Sequence, residues 1–445
     1  MQGYESPGPR GEVATVRRRV PLLSRLTVDT TPLRESRDFR LLVAGNLATG
    51  LGTQAALVAL PYQLYVETHS AFLTGLLGAV ELIPLITLSL LGGAWADRYD
   101  RRKLLLADQV ALVACSAGLA ALAFAGSPPV VALYLLGALL AGFGAVQNVT
   151  SSSIVPNLVA PGRLPSALAL TFGLSALTMV VGPALGGLII GWLGVGAAYT
   201  VDAVSCLAIV LAVWAIAPQP PSGLTEEPVR VLHAIREGLK FVSGNQALLG
   251  SFAIDLLAMT FGMPRALFAV LSVSVYHEGA AGTGLLYAAV AAGATVAALT
   301  TGWLGHARRL GRIVIVAVSV WGLAIAAAGV AGSLWVAAAM LAIAGGADSV
   351  SAVCRSTINQ TVTPDHMRGR MSSVFMLVVT SGPRLGDLES GSVAALSTPR
   401  FSVVSGGLAC LAGVGLILVA FPALLRYDVR TAQDAMAQPA PAAAA

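Results

Sequence analysis

Charged residues are scarce in this chain of 445 residues. Asp, Glu, Lys and Arg make up 11% of it, whereas a typical soluble domain has about 25%. Hydrophobic residues make up 56%. Such a composition cannot cover a single globule with a water-facing surface, so the chain is predicted to lie in a lipid bilayer.

Lysine is almost missing, and so are the motifs of several enzyme classes. Lys occurs only at 103 and 240, and no Gly-x-x-x-x-Gly-Lys-Ser/Thr loop is present, which argues against ATP-driven pumping by this chain alone. No Ser/His/Asp arrangement and no His-Glu cluster lies in the apolar runs, so we expect no catalytic residues and no cofactor. Buried free thiols without metal-ligand spacing are predicted for the four cysteines, Cys115, Cys206, Cys354 and Cys410.

The sequence does not predict a cleavable leader at its N-terminus. The Arg17–Arg19 cluster is not followed by an apolar core and a small-residue cleavage site. Residues 1–37 are therefore expected to form a retained cytoplasmic tail, and the Ala-rich residues 428–445 a disordered one.

Long apolar runs are what the chain does contain. Crossing a hydrocarbon core takes about 20 mostly apolar residues in a helix. The runs do not alternate polar and apolar residues as a barrel would, so helices are predicted. Twelve spans follow, at 39–66, 71–96, 104–126, 129–155, 166–191, 197–217, 246–274, 281–305, 312–331, 333–360, 370–396 and 400–425.

The basic residues predict the orientation of these spans. With the N-terminus inside, only Arg400 falls at an outer loop. Both termini are therefore expected to be cytoplasmic in a multi-pass protein of the cell membrane. The net charge of +5 is then a topology signal, and no nucleic-acid partner is expected. The inner residues are Arg98, Arg101, Arg102, Lys103, Arg163, Arg230, Arg236, Lys240, Arg308, Arg309, Arg312, Arg368, Arg370, Arg426 and Arg430.

A polar segment divides the spans into two sets of six. Residues 218–245 begin with the proline-rich "PQPPSGLTEEPVR" and continue into the amphipathic "VLHAIREGLKFV". A cytoplasmic linker with an interfacial helix is predicted there. It separates a bundle at 38–217 from a bundle at 246–427.

The two bundles repeat each other. "LGGAWADRYDRRK" corresponds to "LTTGWLGHARRLGR", "SSSIVPNLVAPGRL" to "CRSTINQTVTPDHM", and "VGPALGGLIIG" to "SGPRLGDLESG", at offsets of about 200 residues. Repeated halves predict a substrate site between them near the midplane, where one half rocks against the other.

These motifs resemble the major facilitator superfamily. "GGAWADRYDRR" is similar to the signature loop between spans 2 and 3 of that superfamily, although Asp100 stands where the family usually has Gly. "TMVVGPALGG" is similar to the fifth-span motif of its antiporters, with Thr178 in place of the leading Gly. "ADRYDRRK", "GLLYAAVAAGATVAAL" and "TPDHMRGRMSS" together resemble the enterobactin-exporter and macrolide-efflux branch.

The resemblance implies a fold and several residue roles. The fold is an all-α membrane protein with twelve transmembrane helices in two pseudo-symmetric six-helix bundles. A loop that latches the halves near Arg370 of span 11 is implied for Gly93, Asp97, Arg98, Arg101 and Arg102; a positive-inside anchor is the alternative. An antiporter hinge is implied for Gly182, Pro183, Gly186 and Gly187; a simple packing kink is the alternative.

Ionisable groups within the spans are candidates for substrate recognition or proton coupling, because each is costly at membrane depth. In span 10, Asp348, Arg355 and Asn359 share one helical face. In span 11, Arg384 and Asp387 are close enough to pair. Glu81 and Glu389 have no evident local cation, and Asp202 is read as structural. The candidates are Glu81, Asp255, Arg265, Asp348, Arg355, Asn359, Arg384, Asp387 and Glu389.

The sequence therefore predicts a secondary transporter and not an enzyme. We expect a monomeric, proton-coupled exporter of an amphipathic small molecule, such as a siderophore or drug, that works by alternating access. A metabolite importer of the same fold and a transport-inactive membrane sensor or interaction protein remain as alternatives.

Overall fold

A computed structural model describes residues 29–219, 231–364 and 367–429, and all regular structure in these ranges is helical. The predicted tails therefore lie largely outside the described residues. Twelve long helices follow one another: α1 (Arg37–Thr68), α2 (Ala71–Arg98), α3 (Arg101–Ala125), α4 (Val130–Leu158), α5 (Leu164–Leu193), α6 (Val195–Trp214), α7 (Gln246–Phe261), α8 (Gly279–Thr300), α9 (Leu310–Val330), α10 (Leu334–Val362), α11 (Arg368–Leu396) and α12 (Pro399–Ala420).

Shorter helices connect or extend these twelve. The linker helix, Val231–Ser243, lies between the two sets of six. A four-residue helix, Leu267–Val270, and a π-helical turn, Leu271–Val275, continue the chain beyond α7. The remaining short helices are Thr31–Glu35, Pro161–Arg163, Thr301–His306 and Pro422–Leu425.

Ten of the twelve helices in the described chain are long and apolar enough to cross a membrane. The other two are α7, which has 16 residues, and α11, which carries several charges. The linker helix meets α7 at a bend of 111°, so these two do not form one straight span. The sequence predicted one continuous span at 246–274; the structure corrects this to a helix broken after Phe261.

Polar side chains at the helix starts explain where several spans begin. Ser36, Ser70, Ser333 and Thr398 each accept a hydrogen bond from the backbone N–H three residues on, which satisfies a donor left free at a helix N-terminus. Such caps keep the connections short. Only His69 and Ser70 separate α1 from α2.

The helices form two six-helix halves, α1–α6 (the N-terminal half) and α7–α12 (the C-terminal half). In the N-terminal half α1 packs on α5 and α6, α2 on α4, and α3 on α6. In the C-terminal half α9 packs on α10 and α12, and α8 on α10. Two pairs, α2 with α11 and α5 with α8, make the main contacts between the halves.

These two pairs touch near one end of the bundle. We call the end where α1 begins the terminal face and the opposite end the distal face. A Cβ added to Gly391 would lie 2.8 Å from Gly75 Cα, and one added to Gly187 would lie 3.0 Å from Gly284 Cα. All four glycines lie within two turns of the distal ends of their helices. The backbones therefore meet directly on the distal side.

Three glycines near the terminal ends of the same helices make no such approach to the other half. A Cβ added to Gly93 on α2, to Gly173 on α5 or to Gly302 after α8 would meet nothing within 4 Å. The direct backbone contacts between the halves at these glycines are therefore on the distal side.

Candidate functional site: the charged crossing of the two halves

The break in α7 places backbone groups inside the bundle. Gly262, Met263 and Pro264 interrupt the helix. The groups freed by the break are satisfied by side chains from three other helices. Trp321 Nε1 on α9 donates to Gly262 O at 2.8 Å, the Tyr287 hydroxyl on α8 donates to Arg265 O at 3.1 Å, and Ala266 N donates to Asp387 Oδ1 on α11 at 2.9 Å. Non-helical backbone at membrane depth is tolerated only when it is satisfied in this way.

A buried ion pair joins the two halves beside this break. Arg384 Nη1 on α11 lies 2.7 Å from Glu81 Oε2 on α2, and the two side chains are 23% and 9% exposed. Arg384 also lies 3.9 Å from Asp387 Oδ2. Glu81, which has no cation near it in the sequence, therefore has a cation from the other half as its nearest partner. The predicted pairing within α11 exists but is the longer of the two.

Arg265 supplies the second cation of this region. It interacts electrostatically with both Asp387 and Glu81. Its Nε is buried and donates to no acceptor among the described residues. We call this group the crossing cluster: Glu81, Arg265, Tyr287, Arg384 and Asp387. Its two carboxylates and two guanidinium groups balance in charge, and one guanidinium retains a free donor.

The internal repeat relates the crossing cluster to an uncharged contact at the equivalent place between α5 and α8. Gly187 on α5 and Asp387 on α11 occupy equivalent positions, 200 residues apart. At Gly187 the backbone of α5 approaches α8 directly, whereas at the equivalent place α11 carries a carboxylate that binds the broken α7. Gly78 on α2 makes room for it, since a Cβ there would lie 2.8 Å from Asp387 Cβ. One crossing is thus apolar and the other charged.

A second buried cluster lies wholly in the C-terminal half. Arg355 on α10 lies 2.7 Å from Asp255 Oδ1 on α7 and 3.6 Å from Asp348 Oδ1 on its own helix. Its Nη1 also donates to the Ser351 hydroxyl at 2.5 Å. Asp255 and Arg265 are on opposite sides of the α7 break. Arg265 also interacts electrostatically with Asp348, so it lies between the two clusters.

The two remaining candidates in the spans stand apart from these clusters. Asn359 Oδ1 accepts from the Thr363 hydroxyl at 3.1 Å, a local bond at the end of α10. Glu389 is half-buried, and its Oε2 has no hydrogen-bond partner among the described residues.

The residues of the predicted latch lie at the terminal face. The side chain of Asp97 is outside the described part of the structure. Arg101 donates to Ser153 O at 3.1 Å and to Ala96 O at 3.3 Å, and Arg102 Nε donates to Val213 O at 3.1 Å. These bonds join elements of the N-terminal half.

The expected neighbour of the latch has a different partner. Arg370 at the start of α11 pairs with Glu237 of the linker helix at 2.8 Å. A Cβ on Gly238 would lie 2.9 Å from Arg370 O, so the linker helix packs closely on α11.

The predicted hinge lies between two helices. Cβ atoms added to Gly182 and Gly186 would lie 2.5 Å from Gln54 Cβ and 2.6 Å from Ala55 Cα, so these glycines bring α5 onto α1. Gly187 brings α5 onto α8 of the other half. Thr178 stands where the motif has its leading glycine, and it packs against Gly50 on α1. A Cβ added to Gly50 would lie 3.2 Å from the Thr178 methyl group, so the small residue at this contact is on α1.

Sequence reasoning missed one residue of the signature loop. Asp100, where the family usually has Gly, caps α3 by accepting from Arg102 N at 2.8 Å. It also accepts from Gln219 N at 3.3 Å, which ties the start of the interdomain linker to the loop. An Asp directly before a helix start is a recognisable capping signal.

Comparison with known proteins identifies the family to which this chain belongs. Residues 27–443 match the family described as transmembrane secretion effectors. The chain belongs to this family of the major facilitator superfamily. The family consists of transporters and not of enzymes, and the chain is accordingly a multi-pass membrane transporter.

Relatives and solved structures agree with this membership. The chain is 32% identical to the enterobactin exporter EntS of Citrobacter koseri over 81% of this chain and 85% of that protein. It is also 32% identical to enterobactin exporter EntS of Salmonella typhi, over 83% and 87% of the two chains. The fold is similar to a bacterial homologue of the lysosomal transporter Spinster in an inward-facing, unoccupied conformation, with a TM-score of 0.67, 15% identity and coverage of 93% of this chain and 100% of that one.

Proposed function

We propose that this transporter is a proton-coupled exporter of an amphipathic small molecule with anionic or catechol oxygens, such as a siderophore or drug. The observation that carries the proposal is the buried Glu81–Arg384 pair, which joins the two halves. The relatives named as enterobactin exporters support the substrate class. The hinge glycines of α5 support exchange of the substrate against protons.

The position of the pair suggests how it controls access. Glu81 is ten residues from the distal start of α2, which is a depth of about 15 Å at 1.5 Å per residue and close to the middle of a bilayer. The ion pair and the glycine contacts on its distal side hold the two halves together. Protonation of Glu81 removes the anion and favours separation of α2 from α11 on that side.

The crossing cluster also offers a binding group. Arg265 has a buried donor without an acceptor among the described residues, and guanidinium groups bind carboxylate and other paired oxygens well. We assign Arg265 and Arg384 to substrate recognition. A bound anionic substrate then contacts the same two arginines as Glu81 and Asp387 do.

The terminal face is assigned to the cytoplasm in this proposal. Arg101, Arg102 and Arg163 lie there, as the positive-inside rule expects, and the glycine contacts between the halves are on the opposite side. The structure then corresponds to an inward-facing state that is ready to take up its cargo from the cytoplasm.

Everted membrane vesicles test the proposed function. A pH gradient is first imposed, and enterobactin, other catecholates or drugs are then added. Dissipation of the gradient on addition of one compound is expected for the wild type and is lost in Glu81→Gln. Glu278→Gln, the same change at an exposed distal residue, is the matched control and keeps the response. Accumulation in intact cells would indicate an importer, and no response to any compound would indicate a sensor.

A further inference from the structure

The interior of the N-terminal half holds carboxylates but no cations. Lys and Arg are missing from residues 41–97, 104–162 and 164–229. Two acids nevertheless lie deep among α1, α3 and α6: Asp108 on α3 is 4% exposed and Asp202 on α6 is 1% exposed. Among the described residues neither makes an ion pair. Glu81, the other buried acid of this half, is neutralised by Arg384.

Asp202 is surrounded by hydroxyl and thiol groups. Its Oδ2 accepts from the Ser116 hydroxyl on α3 at 2.6 Å, and its Oδ1 accepts from the Thr53 hydroxyl on α1 at 3.2 Å. The Cys206 thiol, one turn further along α6, lies 3.8 Å from Oδ1. The sequence read Asp202 as a structural residue near the outer interface; the structure places it inside the half.

Asp108 differs from Asp202 in the hydrogen bonding of its carboxylate. It lies on the buried face of α3, eight residues before Ser116, and neither of its carboxylate oxygens has a hydrogen-bond partner among the described residues. It interacts electrostatically with Cys206, which is itself bonded to Asp202. Asp108 is seven residues from the terminal start of α3, or about 10 Å deep.

A cavity connects the other end of this group to the distal face. It has a volume of about 240 Å³ and is lined by residues that include Gln63, Glu67 and Gly194. Gln63 Oε1 accepts from the Tyr199 hydroxyl at 2.9 Å. Tyr199 is fully buried and precedes Asp202 by three residues on α6, with which it interacts electrostatically. Polar groups therefore succeed one another from the cavity to Asp202 and Cys206, and Asp108 interacts electrostatically with Cys206.

Apart from the basic residues at the terminal ends of α1 and α3, the titratable groups on the helices around the two acids are neutral or acidic. On α6 these are Tyr199 and Cys206, and on α3 Cys115. From α1 come the hydroxyl of Thr53 and the Gln63 amide, and α5 has no titratable residue. On α4 Tyr134 donates to Leu73 O at 2.6 Å. A charged carboxylate in such surroundings is strongly disfavoured, and proton binding removes the charge.

A metal ion fits this arrangement poorly. Hard metal cations take about six or more oxygen ligands. Both Asp202 oxygens already accept from hydroxyl groups, and the described residues contain no group of three His, Cys, Asp or Glu that could hold a metal.

We propose that Asp108 and Asp202 form a reversible proton-binding pair within the N-terminal half, reached from the distal cavity through Gln63 and Tyr199. This pair is separate from the crossing cluster, where the substrate is expected. The inference rests on the proposed function only in taking protons as the coupling ion, and proton binding is measurable without any transport.

Infrared difference spectroscopy of the purified, lipid-reconstituted protein tests the pair. A protonated carboxyl group has a carbonyl band that an ionised one lacks. We expect the wild type to show such bands at neutral pH and to lose them reversibly as the pH rises. Asp108→Asn and Asp202→Asn should each remove one band, and Glu278→Gln should remove none.

Two further variants separate a working pair from a merely structural one. Ser116→Ala removes a donor to Asp202 and should shift the frequency of the band that Asp202→Asn deletes. The same variant identifies the Asp202 band if Asp202→Asn does not fold. Tyr199→Phe should slow the deuterium exchange of this band several-fold, because the route from the cavity is interrupted.

Three results would overturn the proposal. The first is a spectrum in which both Asn variants remove only ionised carboxylate bands. The second is a set of carbonyl bands that neither titrate nor exchange with D2O. The third is loss of the bands at constant pH on addition of Na⁺, which would assign the pair to a metal cation. Because no substrate is present, these results are independent of whether export itself is confirmed.

Discussion

Replacement of Glu81 by Gln removes the carboxylate that lies 2.7 Å from Arg384 while keeping the size of the side chain. Arg384 then keeps only Asp387, at 3.9 Å on its own helix. The two halves are no longer joined by an ion pair at this crossing. The expected consequence is a shift from the distally closed state towards a distally open one.

The size of the shift follows from the geometry. At an effective dielectric constant of about 20, a charge pair at this distance attracts with about 6 kcal/mol before the cost of desolvation. Net coupling energies of close charge pairs are about 1.5–7 kcal/mol, and the partial exposure of Arg384 favours the lower end. A net coupling energy of about 2 kcal/mol corresponds to a change of roughly 30-fold in the ratio of closed to open states.

Distance measurements between spin labels on the distal face test this value. Ser127→Cys and Ser333→Cys place labels on exposed distal connections of the two halves, and the four native cysteines are buried. We expect one short distance in the wild type and an added longer distance in Glu81→Gln. The exchanged pair Glu81→Arg with Arg384→Glu should restore the short distance. An unchanged distribution in Glu81→Gln would refute the role of the ion pair as a distal lock.

Three other predictions concern separate parts of the molecule. Gly391→Ala should slow transport and reduce stability by about 1–3 kcal/mol, because the new Cβ meets α2, whereas Gly191→Ala, which meets nothing within 4 Å, should match the wild type in both assays. Asp255→Asn should lower the melting temperature in detergent, because it removes the 2.7 Å partner of Arg355, leaves only Asp348 at 3.6 Å and costs about 1.5–3 kcal/mol; an unchanged melting temperature would contradict this. Asp97→Asn should reduce transport without reducing expression, and wild-type transport would remove the latch role.

Much of the architecture was predictable because hydropathy and repetition are local signals. The sequence predicted an all-helical membrane protein with twelve spans, and the described chain has twelve long helices, ten of which are long and apolar enough to cross a membrane. The break in α7 was not predicted, although Pro264 lies within the run. An apolar run is equally consistent with a straight helix, and the break depends on partners such as Trp321 and Asp387 that satisfy the freed backbone groups.

The partners of the charged residues were the least predictable part of the site. Arg384 and Asp387 are close in sequence, so their contact was expected from helix geometry. Glu81 and Arg384 are 303 residues apart, and their contact depends on how α2 and α11 cross. Asp108 and Asp202 are similar cases, since nothing in their neighbouring residues reveals that both face the interior of one half.

The most direct test of proton-coupled export uses the purified protein in liposomes that contain enterobactin or another catecholate on one side. An imposed pH gradient, with no other energy source, should drive the compound against its own concentration gradient and in the direction opposite to proton flow. Glu81→Gln should abolish this uphill movement. Uphill movement in the same direction as the protons, or movement that is indifferent to the pH gradient, would contradict the account.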